Sequence, residues 1–442
     1  MAKEGSADIF ERMKKDGVKF VDLEFVDIMG TVKACEITVE KMKEVAGEGL
    51  WFDGSSIEGF VRIYESDMFL KPDLGSYAVL PWTGGTVARF ICDVYDEKQR
   101  PFEGDPRNVL RKTLERAKKM GLEYMVGPEL EFFLFRRENG CGMETHDKAS
   151  YFDLGNLDLA AEVRRDVVTH LESMGLSIEM SHHEVAPGQH EIDFKYGRAL
   201  TVAGWVLTYK TAVKTAARKY GLYASFMPKP LFGVNGSGMH VHQSLWKDGQ
   251  NAFFDEKDRY NLSPLARHFI AGQLKHARAL SAIAAPTINS YKRLIPGYEA
   301  PVYICWGRIN RSALLRIPRY TEGKKSATRC EYRAPDPSSN PYLVFAAMLS
   351  AGLDGVENKL EPPEPIEENV YHLSNEELEK RGIPTLPHSL KDAVTELQGD
   401  KVLQEALGKH VFEKLTAAQL EDWKDYKRQV TKWELDRYFD VL

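Results

Sequence analysis

Two glutamates set in an apolar, aromatic-rich run are the first residues here that could do chemistry: Gly127-Pro128-Glu129-Leu130-Glu131-Phe132-Phe133-Leu134-Phe135. The run reads as a core strand. Strand side chains alternate between faces, so Glu129 and Glu131 share one face while Leu130, Phe132 and Leu134 take the other. Carboxylates that close in a half-buried sheet repel unless a proton or a cation sits between them. A metal ion is the obvious candidate, and a solvent-facing edge strand with an ordinary polar face is the alternative.

A second acidic stretch spans Ile178 to Phe194. With Pro187-Gly188 as a hairpin turn, the pairing sets Glu184 directly across from Glu191, again an unfavourable carboxylate pair; a Pro-Gly pair suits a type II turn better than the primed turns of tight hairpins. His182, His183 and His190 are at most supports for the ligands around them. The glycine-rich run Gly233-Val234-Asn235-Gly236-Ser237-Gly238 lets backbone approach a ligand closely, and the strand after it aims His240, His242 and Ser244 to one face. That pattern fits one metal ligand and one phosphate or nucleotide contact, or else two core histidines. Glu299 is the single acid in a loop shaped by Pro296, Gly297 and Pro301. Six arginines follow, at 308, 311, 316, 319, 329 and 333. Arg329, Glu331 and Arg333 on one strand face would serve an anionic substrate through bidentate forks while Glu331 reaches a metal; a salt-bridged solvated strand is the alternative. Asp53 stands with Ser55 and Ser56 in a glycine-punctuated loop between aromatics, either as a functional group or as a local turn cap.

Five glutamates, one histidine and several arginines make a carboxylate-rich set with little sulfur, which suits Mg²⁺ or Mn²⁺ and not zinc. Two such ions with arginines form a clamp for phosphoryl transfer. The chain has neither a P-loop nor a kinase-type glycine loop, so the common nucleotide folds are set aside. The residues alone point to a metal-dependent phosphoryl-transfer enzyme acting on an anionic substrate.

The elements that must position these groups divide in two. A short helix over 6–16, a hairpin over 18–26 and 31–39, and a strand over 87–95 form a small α+β domain, predicted at 1–104. A helix starting at Asp105-Pro106 opens the larger domain, 105–442, which holds an alanine-rich helix near 200–219, a helix capped by Asn340-Pro341 and a helical carboxyl-terminal end. At 442 residues, 43% of them hydrophobic and 28% charged, the composition is that of a globular protein. A net charge of −6 speaks against a non-specific nucleic-acid binder. Five scattered cysteines suit reduced thiols, and no apolar run reaches the length of a membrane span, so a cytoplasmic protein is expected. The final segment, Trp433 to Leu442, is apolar enough that a monomer would cover it with difficulty.

From the Asp53-Gly54-Ser55-Ser56 loop to the stretch Arg333 to Leu343, the sequence resembles type I glutamine synthetase nearly end to end. The resemblance implies ATP-dependent ligation of ammonia to L-glutamate through γ-glutamyl phosphate, with two Mg²⁺ or Mn²⁺ per site. It implies that Glu131, Glu184 and Glu191 hold the ion nearer the substrate, and Glu129, His240 and Glu331 the ion nearer the ATP phosphates. Arg316 and Arg311 would be the phosphate and transition-state clamps, and Arg293 and Arg333 contacts for glutamate and phosphate. Asn235 and Gly236 would bind the amino-acid end of glutamate. His242 and Ser244 would touch the nucleotide, with Tyr196 and Arg329 flanking adenine. Glu299 would be a flap over the intermediate, and Asp53 part of the ammonium site. The fold implied is α+β: a small β-grasp-like domain and a larger catalytic domain with a curved antiparallel sheet, a partial barrel, surrounded by helices. Two stacked hexamers are implied, Asp53 reaching a neighbour's site and the carboxyl-terminal tail the opposite ring. Tyr371 falls near a position adenylylated in some members, but the surroundings differ; the chain is closer to the subgroup regulated by effectors or small partner proteins, with Arg62 as a feedback contact. Two other readings stay open, a sister ligase joining glutamate to a larger amine and a catalytically dead scaffold. The scaffold should have lost ligands, whereas every ligand position here is filled.

Overall fold

Strand Phe20–Val26 pairs antiparallel with Val32–Thr38, Val26 facing Val32 across a turn in which Asp27 Oδ1 accepts from Thr31 N at 2.8 Å. The computed structural model that provides this view describes residues 6–57, 59, 67–138, 142–310 and 312–442; Arg62 and Arg311 lie outside them. Phe20–Val26 also runs parallel to Val87–Tyr95, which in turn pairs with Asp67–Pro72, and Leu50–Asp53 closes that edge. The six-stranded sheet has its own core, around Leu23, Leu70 and Phe90, and carries helices Ser6–Lys15 and Val39–Glu48 in a β-grasp arrangement.

Among the described residues the larger sheet has eleven strands, curled around the 16-residue strand Glu123–Glu138. Its first half pairs with Met239–Lys247, and from Glu131 onward it takes new partners, Gln189–Phe194 and then Leu222–Ser225. Glu129 and Glu131 therefore sit at the handover. The strand is central and not an edge, and Leu130, Phe132 and Leu134 are fully buried against helix Ala199–Lys219. Helix Pro341–Glu357 is apolar all round and accordingly lies inside; Asn340 Oδ1 caps it by accepting from Tyr342 N and Leu343 N. Helix Pro264–Lys275 approaches it so closely that a Cβ on Gly272 would collide with Ala351 O. Asn340 Nδ2 also donates to Asp27 O at 3.0 Å, and Arg107, in helix Pro106–Lys119, reaches Asp73 and Asp93, so the smaller sheet is tied to two helices of the larger domain.

The hairpin register differs from the sequence expectation. Glu191 lies opposite His182, and Glu184 faces Gln189, two residues away from the predicted pairing. The reason lies in the turn: Pro187-Gly188 does form a type II turn, with Gly188 at φ +69° and Gln189 N donating to Ala186 O, but it sits inside a four-residue loop, 185–188, and not a two-residue one. Because strand side chains repeat every two residues, this slip keeps Glu184 and Glu191 on one face as diagonal neighbours.

His276 joins two helical layers by donating to Asp400 and, at 3.0 Å, to Asp354. Burial works to lower its pKa, but these two carboxylates outweigh burial and raise it. A folded-state pKa above the unfolded one contributes stability that is complete below about 6.5 and fades as pH rises through the folded value. Thermal unfolding should therefore show a decline in Tm above pH about 6.5 that His276→Gln removes. An unchanged slope in that variant would assign the decline elsewhere.

Candidate active site

Glu131 projects from the handover point, where its Oε2 accepts from Gly238 N and from Gln189 Nε2, both at 2.9 Å. Glu191 lies directly across the ladder from Glu131. His182, Glu184 and Glu191 bring donor atoms within 4.8 Å of one another. Burial pushes Glu131 up to about 7, against the opposing pull of Gly238 N–H and Arg293. Burial, then repulsion from Glu131, takes Glu184 to about 8, and burial with Asp193 and Glu131 raises Glu191 well above the carboxylate range. Three such groups stay ionised together only with a cation among them, so this oxygen-rich donor set fits Mg²⁺ or Mn²⁺.

The second carboxylate group differs in sign. His242 Nε2 donates to Glu129 Oε1 at 2.6 Å, while its Nδ1 accepts from Arg329 Nε at 3.2 Å. His240 Nδ1 lies 3.8 Å from Glu129 and 3.6 Å from Glu331. Both histidines reach the Glu129–Glu331 pair, His242 the more closely, and Glu129, His242 and Glu331 have donor atoms within 4.8 Å. Burial opposes the Glu129 anion, yet His242 and His240 hold its carboxyl well below the ordinary range. Glu331 is buried between arginines: Arg316 Nε pairs with Oε2, and Arg333 Nε lies 3.2 Å from Oε1. Burial opposes its charge too, but Arg333, His242 and Arg316 outweigh it and lower the pKa. The strand at Glu331 is only Cys330–Tyr332, with Arg329 and Arg333 flanking it; Arg329 reaches His242 and Arg333 reaches Glu331.

Between Glu131 and the Glu299 loop is a cleft of about 40 Å³ lined by Glu131, Glu184, Asn235, Arg293, Glu299 and Arg333, with Gly236 also at its wall. Arg293 is fixed there by donating to Ala334 O at 2.8 Å and Arg333 O at 3.1 Å. Asn235 Nδ2 donates to Glu299 Oε2 at 3.4 Å. Glu299 has φ +57°, a left-handed conformation uncommon outside glycine, beside Gly297 at φ +94°. Lys229 Nζ lies 3.7 Å from the Tyr298 ring centroid, and the Tyr371 hydroxyl donates to Ala300 O, so both sides of Glu299 are held.

On the far side of Glu129, the Tyr196 ring, 43% exposed, stacks on Trp246 with centroids 6.3 Å apart, and Ser244 Oγ accepts from Trp246 Nε1 at 2.9 Å. A stacked, half-open aromatic pair of this kind is a platform for a planar ring. Asp53 is not among the residues lining the cleft. It ends the edge strand Leu50–Asp53, exposed, and its Oδ1 accepts from Ser55 N at 2.8 Å, which holds its carboxyl below the usual range. Gly238 belongs to the glycine run expected to approach a ligand, whereas Gln189 and Asp193 are additions from the structure. Gln189, Glu191 and Asp193 alternate on one strand face, a signal that was there to read.

Carboxylate pockets of two kinds, arginines around the second and a stacking platform beyond it define a metal-dependent, nucleotide-using enzyme built on a curled sheet with a β-grasp domain attached. Residues 17–97 match the glutamine synthetase β-grasp domain and residues 103–438 the glutamine synthetase catalytic domain. The chain belongs to the glutamine synthetase family. It is 54% identical to a glutamine synthetase of Thermotoga maritima, over 96% of this chain and 97% of that one, and 51% identical to one of Thermus thermophilus, over 98% of each. Among solved structures, one described as "GmaS/ADP complex-Conformation 1" superposes with a TM-score of 0.90 at 32% identity, covering 98% of this chain and 100% of that chain. Plasmodium falciparum glutamine synthetase superposes at 0.88 with 27% identity, covering 99% of each.

Proposed function

We propose that this protein joins ammonia to the γ-carboxylate of L-glutamate at the expense of ATP, releasing glutamine, ADP and phosphate through γ-glutamyl phosphate. The observation that carries this reading is the pair of carboxylate clusters built around Glu129 and Glu131, with Arg316 and Arg333 on Glu331 and with Arg293 and Arg333 lining the adjoining cleft. Glu131, Glu184 and Glu191 would hold one divalent cation and Glu129, His240 and Glu331 the other, His242 touching the same pair. When bound, these ions would neutralise the phosphates and polarise the transferring phosphoryl group. Asn235 and Gly236 receive the amino-acid end of glutamate, and Arg293 directs its carboxylate toward the phosphoryl donor. Arg316, Arg333 and Arg311 hold the charge that develops on transfer. Tyr196, Ser244 and Arg329 seat the nucleotide. Glu299 closes the cleft, excluding water from the acyl phosphate.

Further parts of this reading concern organisation. Residues 1–104 and 105–442 act as two domains, supported by their separate sheets and cores. Two stacked hexamers share their sites, Asp53 entering a neighbour's cleft. Support comes from the exposure of Asp53 and of the tail, where Trp433, Phe439 and Leu442 are 65%, 77% and 99% exposed. Effectors or a small partner protein regulate the enzyme; the half-buried Tyr371, with its hydroxyl bonded under the Glu299 loop, is poorly placed for modification. A cytoplasmic location agrees with unpaired cysteines at 35, 92, 305 and 330, and no helix among the described residues is long and apolar enough to cross a membrane.

The test is phosphate release coupled to product analysis, with glutamate, ATP and Mg²⁺, with and without ammonium, alongside a panel of larger amines. Glutamine should form in step with phosphate and only when ammonium is present. Turnover with a larger amine in preference to ammonium would replace this reading with that of a sister ligase. Glu131→Gln should weaken the substrate-side cation about 10- to 100-fold and lower activity, with partial recovery in excess Mn²⁺. Unchanged metal dependence in that variant would remove Glu131 from the ligand set.

A further inference from the structure

Behind the hairpin that carries Glu184 and Glu191 lies a buried polar cluster to which the reaction assigns nothing. His183 and His190 point to the face opposite the glutamates and pack ring to ring, with centroids 4.6 Å apart. His183 donates through Nδ1 to Glu184 O at 2.7 Å and through Nε2 to Asp147 Oδ1 at 3.1 Å. The same Oδ1 accepts from Gly188 N at 2.9 Å, while Oδ2 lies 2.8 Å from His146 Nε2 and accepts from Leu159 N at 3.3 Å. Arg164, paired with Asp158, donates to His190 Nδ1 at 2.8 Å and so holds the second ring. Asp147, His183 and His190 are all buried.

His146, Asp147 and His190 have donor atoms within 4.8 Å, which raises the question of a third cation. The hydrogen bonding answers against it. His190 Nδ1 accepts from Arg164, so the ring proton sits on Nε2, and a metal there would have to displace it beside a permanently charged guanidinium. The cluster works instead as a clamp. Asp147 grips the loop at both ends: at Gly188 directly, and at Glu184 through the His183 ring. Gly188 is also fitted tightly below, since Leu134 N donates to its carbonyl and an added Cβ would meet Leu134 O at 2.9 Å.

We propose that Asp147 is a positioning residue for the substrate-side cation, setting the backbone of Glu184 from the face opposite the one that binds. This rests on the reading of Glu184 as a ligand. Loss of an outer partner of this kind weakens a metal site about 10- to 100-fold. Asp147→Asn keeps an acceptor for Gly188 N–H but loses the charge facing His183, and Asp147→Ala loses both, so the effect should grow in that order.

The experiment uses the assembled full-length enzyme. Mn²⁺ affinity is measured with and without ADP for the wild type, the two Asp147 variants and Glu184→Gln, together with Tm and hydrogen exchange of the Gly188 amide. The expected result is substrate-side Mn²⁺ binding weakened about tenfold or more in Asp147→Asn, nucleotide-side binding unchanged and Gly188 exchange accelerated. A lower Tm with unaltered Mn²⁺ affinity would reduce Asp147 to a purely structural residue and overturn the proposal. If Glu184→Gln leaves Mn²⁺ binding intact, it is the ligand assignment that fails. If Glu184→Gln weakens binding and neither Asp147 variant does, the clamp alone fails.

Discussion

Glu331→Gln is expected to lower kcat/KM by at least about a hundredfold and to reduce Tm by several degrees in the same variant. The size of both effects follows from the surroundings. Glu331 is buried, pairs with Arg316 and Arg333, and has His240 and His242 in reach. Removing one partner of a buried ion pair leaves an uncompensated charge, typically at a cost of about 3–5 kcal/mol. Here two guanidiniums lose their common anion at once. They should turn away to other acceptors, so both the proposed cation site and the proposed phosphate clamp should lose their geometry. Steady-state kinetics and thermal unfolding check this together. Wild-type Tm with a selective rise in the metal requirement would mean that Glu331 is a ligand only and organises no arginine.

Much of the site could be read from the chain because its groups alternate on strands. Glu129 with Glu131, and His240 with His242, each share a face by the two-residue period alone, and the fold places both pairs as that period requires. The same period explains why the wrong hairpin register did little harm: a slip of two residues moves Glu184 along the ladder without changing its face. Turn composition indicated a type II turn, but it carries no information about how many residues flank that turn before pairing resumes, and so the diagonal placement was not legible. Gln189 is harder to read, because an uncharged amide gives no repulsion to explain, although it holds Glu131 directly. Asp147 was out of reach for a different reason. It lies in an irregular segment with no periodic partner, 36 residues before His183, and only the tertiary fold brings them together. Which of His240 and His242 would serve a metal and which a nucleotide is likewise beyond alternation, since both reach Glu129.

Asp53→Asn should separate the two halves of the reaction. Ammonia arrives mainly as ammonium, which has no lone pair, so the cation must be attracted and then deprotonated before it can attack the acyl phosphate. Arginines are permanently charged and cannot accept that proton. The carboxylates assigned to cations are committed, leaving Asp53 and Glu299. Ser55 N–H keeps the Asp53 carboxyl below the ordinary range and therefore ionised, which suits attracting a cation better than taking its proton. Glu299, on its left-handed loop lining the cleft, is then the proposed acceptor of that proton. Asparagine in place of Asp53 keeps the shape and removes the charge, so glutamine formation should fall about 10²-fold or more at low ammonium while ADP release with glutamate and ATP alone stays near wild type. Raising ammonium should recover part of the loss. Because Asp53 sits in the small domain, outside its own cleft, oligomers mixed from Asp53→Asn and Glu331→Gln subunits should regain some activity at junctions where both groups are intact. Equal loss of ADP release and glutamine formation would make Asp53 a structural loop residue, and no recovery in verified mixed oligomers would mean that each chain completes its own site.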